Sequence, residues 1–185
     1  MEARVNVTAE RELDQPLAAR IADVQLAAFP KTTEFAYQRW WHTPPAPDDL
    51  WFTLSRSGQV IGSVVVIHRT ILAGPSRLTV AGIGNVCSHP DHRGEGAARQ
   101  CMRKVQEYIA GHRTLAAGLL FCGVSVRGFY ARLGWQEIAN PLRHVQPDGQ
   151  PVWTDCRQRG GMAYPGRVAL ADWPTGLVDL QGPDW

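Results

Sequence analysis

The sequence predicts one α+β domain whose central sheet is mixed but mostly antiparallel and is flanked by helices. Three runs rich in β-branched and aromatic residues follow one another between positions 50 and 89, separated only by short turn signals. Next come a glycine-rich turn, a helix-like run and another strand-like run, an order typical of a parallel crossover unit. A length of 185 residues suits one core, so we expect a single domain over residues 1–185.

The first predicted elements are helices. Apolar residues three or four apart predict an amphipathic helix over 15–29, with Asp14 as N-cap and Pro16 in the first turn. A short second helix is predicted over 35–41, where a cluster of prolines follows at 44–47.

The middle of the chain supplies the predicted sheet. Residues 50–55, 59–72 and 76–89 are expected to form an antiparallel meander, and apolar spacing predicts a helix from Ala97 to a stop at Gly111. A buried strand is predicted over 116–123, and a short helix over 126–135. Beyond them we predict two further strands, at 142–145 and 168–170.

Charge and composition restrict the function classes. Basic residues crowd the middle of the chain, which suits an anion, whereas residues 168–185 carry three aspartates and no Lys or Arg, which suits a cation. The basic residues do not alternate with aromatic residues as nucleic-acid binders require, and no run approaches the roughly 20 apolar residues of a membrane span. We therefore expect a cytoplasmic protein with a small cationic substrate and no nucleic-acid or membrane partner.

Metal and disulfide chemistry are not expected. The four cysteines have no metal-ligand spacing. His89 and His92 lie three apart in a turn without a third ligand nearby, so the predicted metal set is none.

The stretch "HPDHRGEGAARQ", residues 89–100, carries the strongest functional signal. The first N–H groups of a helix have no partner inside the helix and favour anions. Gly94 and Gly96 let the backbone approach a ligand closely, and Arg93 can add a charge-assisted hydrogen bond. The stretch lacks the Walker lysine, so the sequence predicts a pyrophosphate-binding loop of another type.

The longer stretch "NVCSHPDHRGEGAARQCMRKV", followed downstream by "FYARLGW", resembles the acyl-CoA-binding motifs of the GNAT acetyltransferase superfamily. Arg93, Gly96 and Ala98 fill the motif positions. The resemblance implies a sheet splayed at the acyl-CoA site, acetyl-CoA as cosubstrate and often a homodimer. It also implies that acetyl-CoA contacts the following residues: Val86, Cys87, Ser88, Arg93, Gly94, Glu95, Gly96, Ala97, Ala98 and Tyr130.

The same resemblance assigns catalytic roles. Backbone groups at Val86, Cys87 and Ser88 would hold the pantetheine arm and polarise the thioester carbonyl, and Tyr130 would protonate the departing thiolate. Val86 and Tyr130 are the predicted catalytic residues.

Scattered features resemble the aminoglycoside 2'-N-acetyltransferases more closely. These are "AAFPKTTEFAYQRWWHT" after the first helix, the strand "VVVIHRTIL" and the final "VDLQGPDW". The resemblance implies that carboxylates bind the ammonium groups of the antibiotic, and that the substrate site contains Glu34, Trp40, Asn85, Asp179, Asp184 and Trp185. Kasugamycin, which has few amines, is one expected substrate of a divergent subgroup. A large aromatic residue after Asp184 also predicts an ordered end.

One departure leaves the general base open, because Gly84 stands where those enzymes carry a glutamate. The substitutes are Glu34, His42, Asp184 or the terminal carboxylate acting through water, or bulk solvent. Three other functions stay open: acetylation of a polyamine, small metabolite or protein amine, transfer of a long acyl chain as in nodulation-factor acyltransferases, and a non-catalytic acyl-CoA-binding module.

Overall fold

The computed structural model describes residues 4–30, 46–145 and 149–185. Its residues divide into two compact units, each built from two stretches of the chain. Unit 1 comprises residues 1–67 and 84–105, and unit 2 comprises residues 68–83 and 106–185. The single domain stays a prediction.

Unit 1 contains a short antiparallel sheet and an amphipathic helix. Strand β1 (Val5–Ala9) pairs with β2 (Leu50–Arg56), which pairs with β3 (Gln59–Ala73). Helix α1 (Gln15–Ala28) begins where the Asp14 carboxylate accepts a hydrogen bond from the N–H of Leu17 at 2.7 Å, which confirms the predicted cap. Strand β1 was not predicted, because its polar alternation resembles a loop at this length.

The β2–β3 hairpin turns through two residues with left-handed backbone. Ser57 has φ 49° and Gly58 has φ 83°, the combination that a type I′ turn requires. The strand register shifts once, between Leu54 and Ser55. This irregularity lies immediately before Arg56 and the turn.

Unit 2 contains most of the sheet. Its strands are parts of β3 and β4 (Ser76–Ser88), then β5 (Ala117–Phe121), β6 (Gln136–Glu137), β7 (Pro141–Val145), β8 (Pro151–Asp155), β9 (Gly161–Pro165) and β10 (Val178–Asp179). They lie in the order β6-β9-β5-β4-β3-β10-β7-β8. The β4–β5 and β10–β7 pairs are parallel, whereas β5–β9, β6–β9, β7–β8 and β10–β3 are antiparallel. The predicted mixed, mostly antiparallel sheet is confirmed.

Three further helices complete the described chain. Helix α2 (Ala97–Gly111) runs from unit 1 into unit 2, and α3 (Arg127–Ala131) and α4 (Cys156–Arg159) belong to unit 2. In the described part of the chain, no helix has the length and apolar character needed to cross a bilayer.

The chain after Glu137 differs most from its prediction. A strand at 142–145 is confirmed as β7, but the strand at 168–170 is wrong, because Val168 follows a loop and Leu170–Asp172 form a 3-10 turn. Strands β8 and β9 were missed. Glycine and proline flank β9 and resemble turn signals, yet Gly160 (φ 66°) caps α4, and a Cβ at Gly161 would lie 2.8 Å from that of Cys156. The helix predicted at 35–41 lies outside the described residues.

Candidate active-site residues

The predicted phosphate loop lies in unit 1, between the end of β4 and the start of α2. Gly94 has φ 84° and Gly96 has φ 81°, a region that disfavours any side chain. A Cβ at either position would have nothing within 4 Å, so the space over both glycines is open. The loop therefore meets the requirement for close approach of a phosphate to the backbone.

Some backbone N–H groups at the start of α2 already donate to acceptors within the protein. The N–H of Ala98 donates to Ser88 Oγ at 3.0 Å, and the N–H of Glu95 donates to the carbonyl of His92 at 3.4 Å. Among the described residues, no acceptor is found for the N–H groups of Gly94, Gly96 and Ala97. These three N–H groups, with the exposed Arg93 side chain, are the groups available to an anion.

Glu95 has two side-chain hydrogen-bond partners, one on each carboxylate oxygen. Arg56 Nη1 donates to Glu95 Oε2, and His92 Nδ1 lies 3.2 Å from Glu95 Oε1. The hydrogen bond with His92, and then Arg56, hold the pKa of the Glu95 carboxyl below its usual value. The loop thus contains an ionised carboxylate that is neutralised within unit 1, a feature that the sequence did not reveal.

The strand before the loop changes its pairing near Asn85. The parallel pairing of β4 with β5 runs from Val80↔Ala117 to Ile83↔Leu120, and β4 continues to Ser88. Asn85 has φ 51°, an uncommon backbone for a residue in a strand. The end of the pairing agrees with the predicted splay, because the following residues are those assigned to the pantetheine arm.

The side chain of Cys87 faces the core of unit 1. Its Sγ lies 3.2 Å from Ser63 Oγ, the residue is 4% exposed, and burial raises the pKa of the thiol. Any contact of Cys87 with a ligand would therefore use its backbone, as the resemblance implies.

Tyr130, the predicted acid, lies on α3 in unit 2. It is 8% exposed, and its ring packs edge-on against Phe129 and Trp135, with centroid distances of 5.0 Å and 6.5 Å. The helix is followed by a turn in which the N–H groups of Leu133 and Trp135 both donate to the Tyr130 carbonyl. The packing fixes the direction of the phenol ring.

The acidic residues at the end of the sequence are ion-paired with arginines. Asp179 Oδ2 lies 2.6 Å from Arg143 Nη1, and Asp184 accepts a hydrogen bond from Arg159. The expectation that this acidic set lacks basic partners is therefore corrected. The partners come from β7 and α4, which lie 36 and 25 residues earlier in the chain.

Trp185 is buried in unit 2, at 8% exposure. Its Nε1–H donates to the Leu119 carbonyl at 2.9 Å, and the Arg69 guanidinium lies 5.0 Å from the ring centroid. A Cβ at Gly82 would come within 2.5 Å of the indole. The predicted ordered end is confirmed, and the ring is part of the packing of β4 and β5.

His144 on β7 was not singled out from the sequence. The residue is 7% exposed, and among the described residues its Nδ1 has no hydrogen-bond partner. Burial, and then the charge of Arg159, lower the pKa of this imidazole. His144 therefore lies near the Arg159–Asp184 pair as a neutral group.

Glu34, Trp40 and His42 lie outside the described residues. His89 and His92 interact with the neighbouring acidic residues Asp91 and Glu95. Within residues 4–30, 46–145 and 149–185, no three His, Cys, Asp or Glu side chains form a metal-binding group.

Comparison with known proteins identifies the family. Residues 11–138 match the acetyltransferase (GNAT) domain. The chain belongs to this family. It is accordingly an acetyltransferase whose cosubstrate is acetyl-CoA, and the phosphate loop and Tyr130 both lie inside the matched region.

The GNAT chain also resembles individual proteins. It is 26% identical over 138 residues to an aminoglycoside 2'-N-acetyltransferase of Mycolicibacterium fortuitum, covering 75% of this chain and 67% of that protein. The YhbS N-acetyltransferase of Escherichia coli, solved with CoA, has a TM-score of 0.62 at 19% identity, with 97% and 91% of the two chains covered. A GNAT acetyltransferase of Brucella melitensis, solved with acetyl-CoA, has a TM-score of 0.57 at 19% identity and 96% coverage of both chains.

Other solved GNAT relatives are longer than this chain. The chain covers 33% of a probable N-acyltransferase from Enterococcus faecalis, with a TM-score of 0.58 and 20% identity. These likenesses confirm the fold. Homodimer assembly and a cytoplasmic location stay predictions.

Proposed function

We propose that this protein transfers the acetyl group of acetyl-CoA to an amino group of an aminoglycoside, at the 2' position. The observation that carries the proposal is the similarity to the Mycolicibacterium fortuitum aminoglycoside 2'-N-acetyltransferase over three quarters of the chain. The proposed role includes antibiotic resistance, and kasugamycin is the proposed substrate if the chain represents a divergent subgroup.

The donor is assigned to the loop and strand of unit 1. The N–H groups of Gly94, Gly96 and Ala97, with Arg93, bind the pyrophosphate of acetyl-CoA. The backbone of Val86 donates to the thioester carbonyl, where negative charge grows as the amine attacks. Cys87 and Ser88 contribute backbone contacts to the pantetheine arm, and the fixed phenol of Tyr130 gives the departing thiolate its proton.

The acceptor is assigned to carboxylates that can bind ammonium groups. Asp179 and Asp184 already bind guanidinium groups, so a polyamine antibiotic would compete with Arg143 and Arg159 for them. Asn85 of unit 1 and Trp185 of unit 2 are also proposed as substrate-binding residues, on the basis of the resemblance. Glu34 and Trp40 are proposed from the resemblance alone. Each arginine lowers the attraction of its carboxylate for a substrate cation, because the pair is nearly neutral as a unit.

The same arginine pairs favour a second candidate, acetylation of another small amine. An acceptor with few charges needs no uncompensated carboxylates. A polyamine, an amino metabolite or a lysine side chain would then be the substrate, with the donor residues unchanged.

The test is thiol release from acetyl-CoA with kasugamycin, gentamicin, tobramycin, spermine and a lysine peptide. Turnover of an aminoglycoside, with an Asp184→Asn variant that raises its KM about tenfold, would support the first proposal, since a charge-assisted bond contributes roughly 1.5 kcal/mol or more. Asp172→Asn is the matched control, because Asp172 is an exposed aspartate of the same segment.

The other outcomes separate the rivals. Preference for spermine or the peptide would establish the second candidate. Binding of CoA without turnover of any amine would indicate a binding module. A Tyr130→Phe variant distinguishes these further, because an enzyme with this acid should lose about 100-fold in kcat.

A further inference from the structure

Glu95 is an unexpected residue in an anion-binding loop. It stands between Gly94 and Gly96, the two positions with left-handed backbone and open space above them. An ionised carboxylate here repels a pyrophosphate and lowers its affinity unless a cation compensates it. The loop should bind a phosphate ligand more tightly if the charge of Glu95 is neutralised.

Arg56 supplies the permanent positive charge at this position. Its Nη1 donates to Glu95 Oε2, and the two side chains are 49% and 38% exposed. His92 approaches the other carboxylate oxygen, with 3.2 Å between Nδ1 and Oε1. Both oxygens of Glu95 are thereby directed to partners within unit 1.

Arg56 is presented by a hairpin that packs against the loop. It follows the register shift between Leu54 and Ser55 and precedes the type I′ turn, and irregularities of this kind redirect side chains. On the next strand, a Cβ at Gly62 would lie 2.9 Å from the Cβ of Ala97, the first residue of α2. The N–H of His89 also donates to the Ile61 carbonyl at 2.8 Å.

We propose that Arg56 is a positioning residue for the CoA pyrophosphate, which acts by holding and neutralising Glu95 so that the loop N–H groups face the ligand. The inference rests on the loop being the CoA site, as proposed above. Arg56 is not assigned contact with the substrate or the reacting atoms. Replacing Arg56 should lower the affinity for CoA, and it should do so only while Glu95 carries its charge.

The expected size follows from surface electrostatics. Removing Arg56 should weaken CoA binding by about three- to tenfold, the range of an exposed charge interaction that several partners share. Removing the Glu95 charge as well should return the affinity to within about twofold of the wild type, because the repelling group is gone.

The experiment compares Arg56→Gln, Glu95→Gln and the double variant by calorimetric titration with CoA. Arg11→Gln is the control, since Arg11 also forms an exposed ion pair in unit 1, but with Asp48 rather than with a loop residue. Acyl transfer from S-acetylpantetheine, which has no pyrophosphate, to the amine of the panel that the wild type acetylates fastest is measured for each variant as kcat/KM. A purely structural role of Arg56 would lower the rate with this donor too.

The inference is supported if Arg56→Gln weakens CoA binding, the double variant restores it, and the S-acetylpantetheine rate of Arg56→Gln stays within about twofold of the wild type. An unchanged CoA affinity in Arg56→Gln would overturn it, as would an equal loss in the double variant or with S-acetylpantetheine. Failure of the wild type to bind CoA would refute the loop assignment itself. Failure to acetylate any aminoglycoside would refute only the proposed acceptor, because the CoA titration does not depend on the acceptor.

Discussion

The phosphate loop of unit 1 and the acidic end of unit 2 use charge in opposite ways. In the loop, the Glu95 carboxylate is paired with Arg56 and lies beside His92, and the N–H groups of Gly94, Gly96 and Ala97 have no acceptor among the described residues. At the acidic end, Asp179 and Asp184 are occupied by arginines, and Trp185 is buried. The difference indicates that the loop leaves backbone donors open to an anion, whereas the carboxylates of the acidic end can bind a cation only by exchanging partners.

The largest expected effect comes from a substitution at Gly82, which tests whether the acidic end contributes to the fold. A Gly82→Ala substitution places a Cβ within 2.5–2.8 Å of three Trp185 ring atoms, so the indole must leave its position. We expect a loss of about 3–5 kcal/mol in the free energy of unfolding, as for truncation of a buried tryptophan, measured by urea denaturation.

A double-mutant cycle controls this prediction. In a Trp185→Ala background the clash is absent, so Gly82→Ala should cost much less than in the wild type. Equal costs in the two backgrounds would show that Trp185 does not pack on Gly82 in solution.

A substitution at Gly96 should have an intermediate effect, and it tests the proposed role of the loop in binding acetyl-CoA. A Gly96→Val variant forces a β-branched residue into a left-handed conformation, which costs about 1–3 kcal/mol and is avoided only if the loop rearranges. We expect kcat/KM for acetyl-CoA to fall about tenfold or more. Gly149→Val is the control, because Gly149 has φ 83° and equally open space outside the loop. Similar activity losses in Gly96→Val and Gly149→Val would contradict a specific role of the loop in binding acetyl-CoA.

The smallest effect concerns pH and the neighbourhood of the Arg159–Asp184 pair. Burial and Arg159 lower the pKa of His144 in the folded protein, so the unfolded chain takes up a proton at this residue at a higher pH than the folded chain does. Stability contributed by the neutral imidazole is therefore lost as the pH falls below about 6.5, the usual histidine value.

A His144→Gln variant should accordingly show a shallower decrease of Tm between pH 7 and pH 5 than the wild type. His112→Gln replaces another histidine of unit 2 and serves for comparison. Parallel Tm profiles for His144→Gln and the wild type would mean that protonation of this residue is not disfavoured in the folded state.

Local signals explain which parts were predictable. Periodicity, which neighbouring residues determine, predicted the runs that form β2, β3, β4 and α2. Local backbone preference predicted the turn at Gly94 and Gly96. Strand β9 was missed, because Gly160 and Pro165 resemble turn signals when the helix cap and the packing around them are unknown.

The ion pairs were unpredictable for a different reason. Arg56 and Glu95 are 39 residues apart, and Arg143 and Asp179 are 36 apart, so only the tertiary fold brings their charges together. The segregation of charge along the sequence was observed correctly, but it does not reveal which charges remain available. The loop motif predicted the turn at Gly94 and Gly96, whereas composition did not predict the arginine partners of Asp179 and Asp184.

The division of β3 and β4 between two units has a consequence for biosynthesis. Neither unit is one continuous stretch, since the chain passes from unit 1 to unit 2, back to unit 1 and again to unit 2. On the ribosome, β3 and β5 emerge long before some of their partners, because Arg69 of β3 bonds to Pro183 across 114 residues and Leu119 of β5 bonds to Trp185 across 66. Long-range contacts of this kind slow folding, so these strands of the nascent chain are open to wrong pairings until Pro183 and Trp185 have been made.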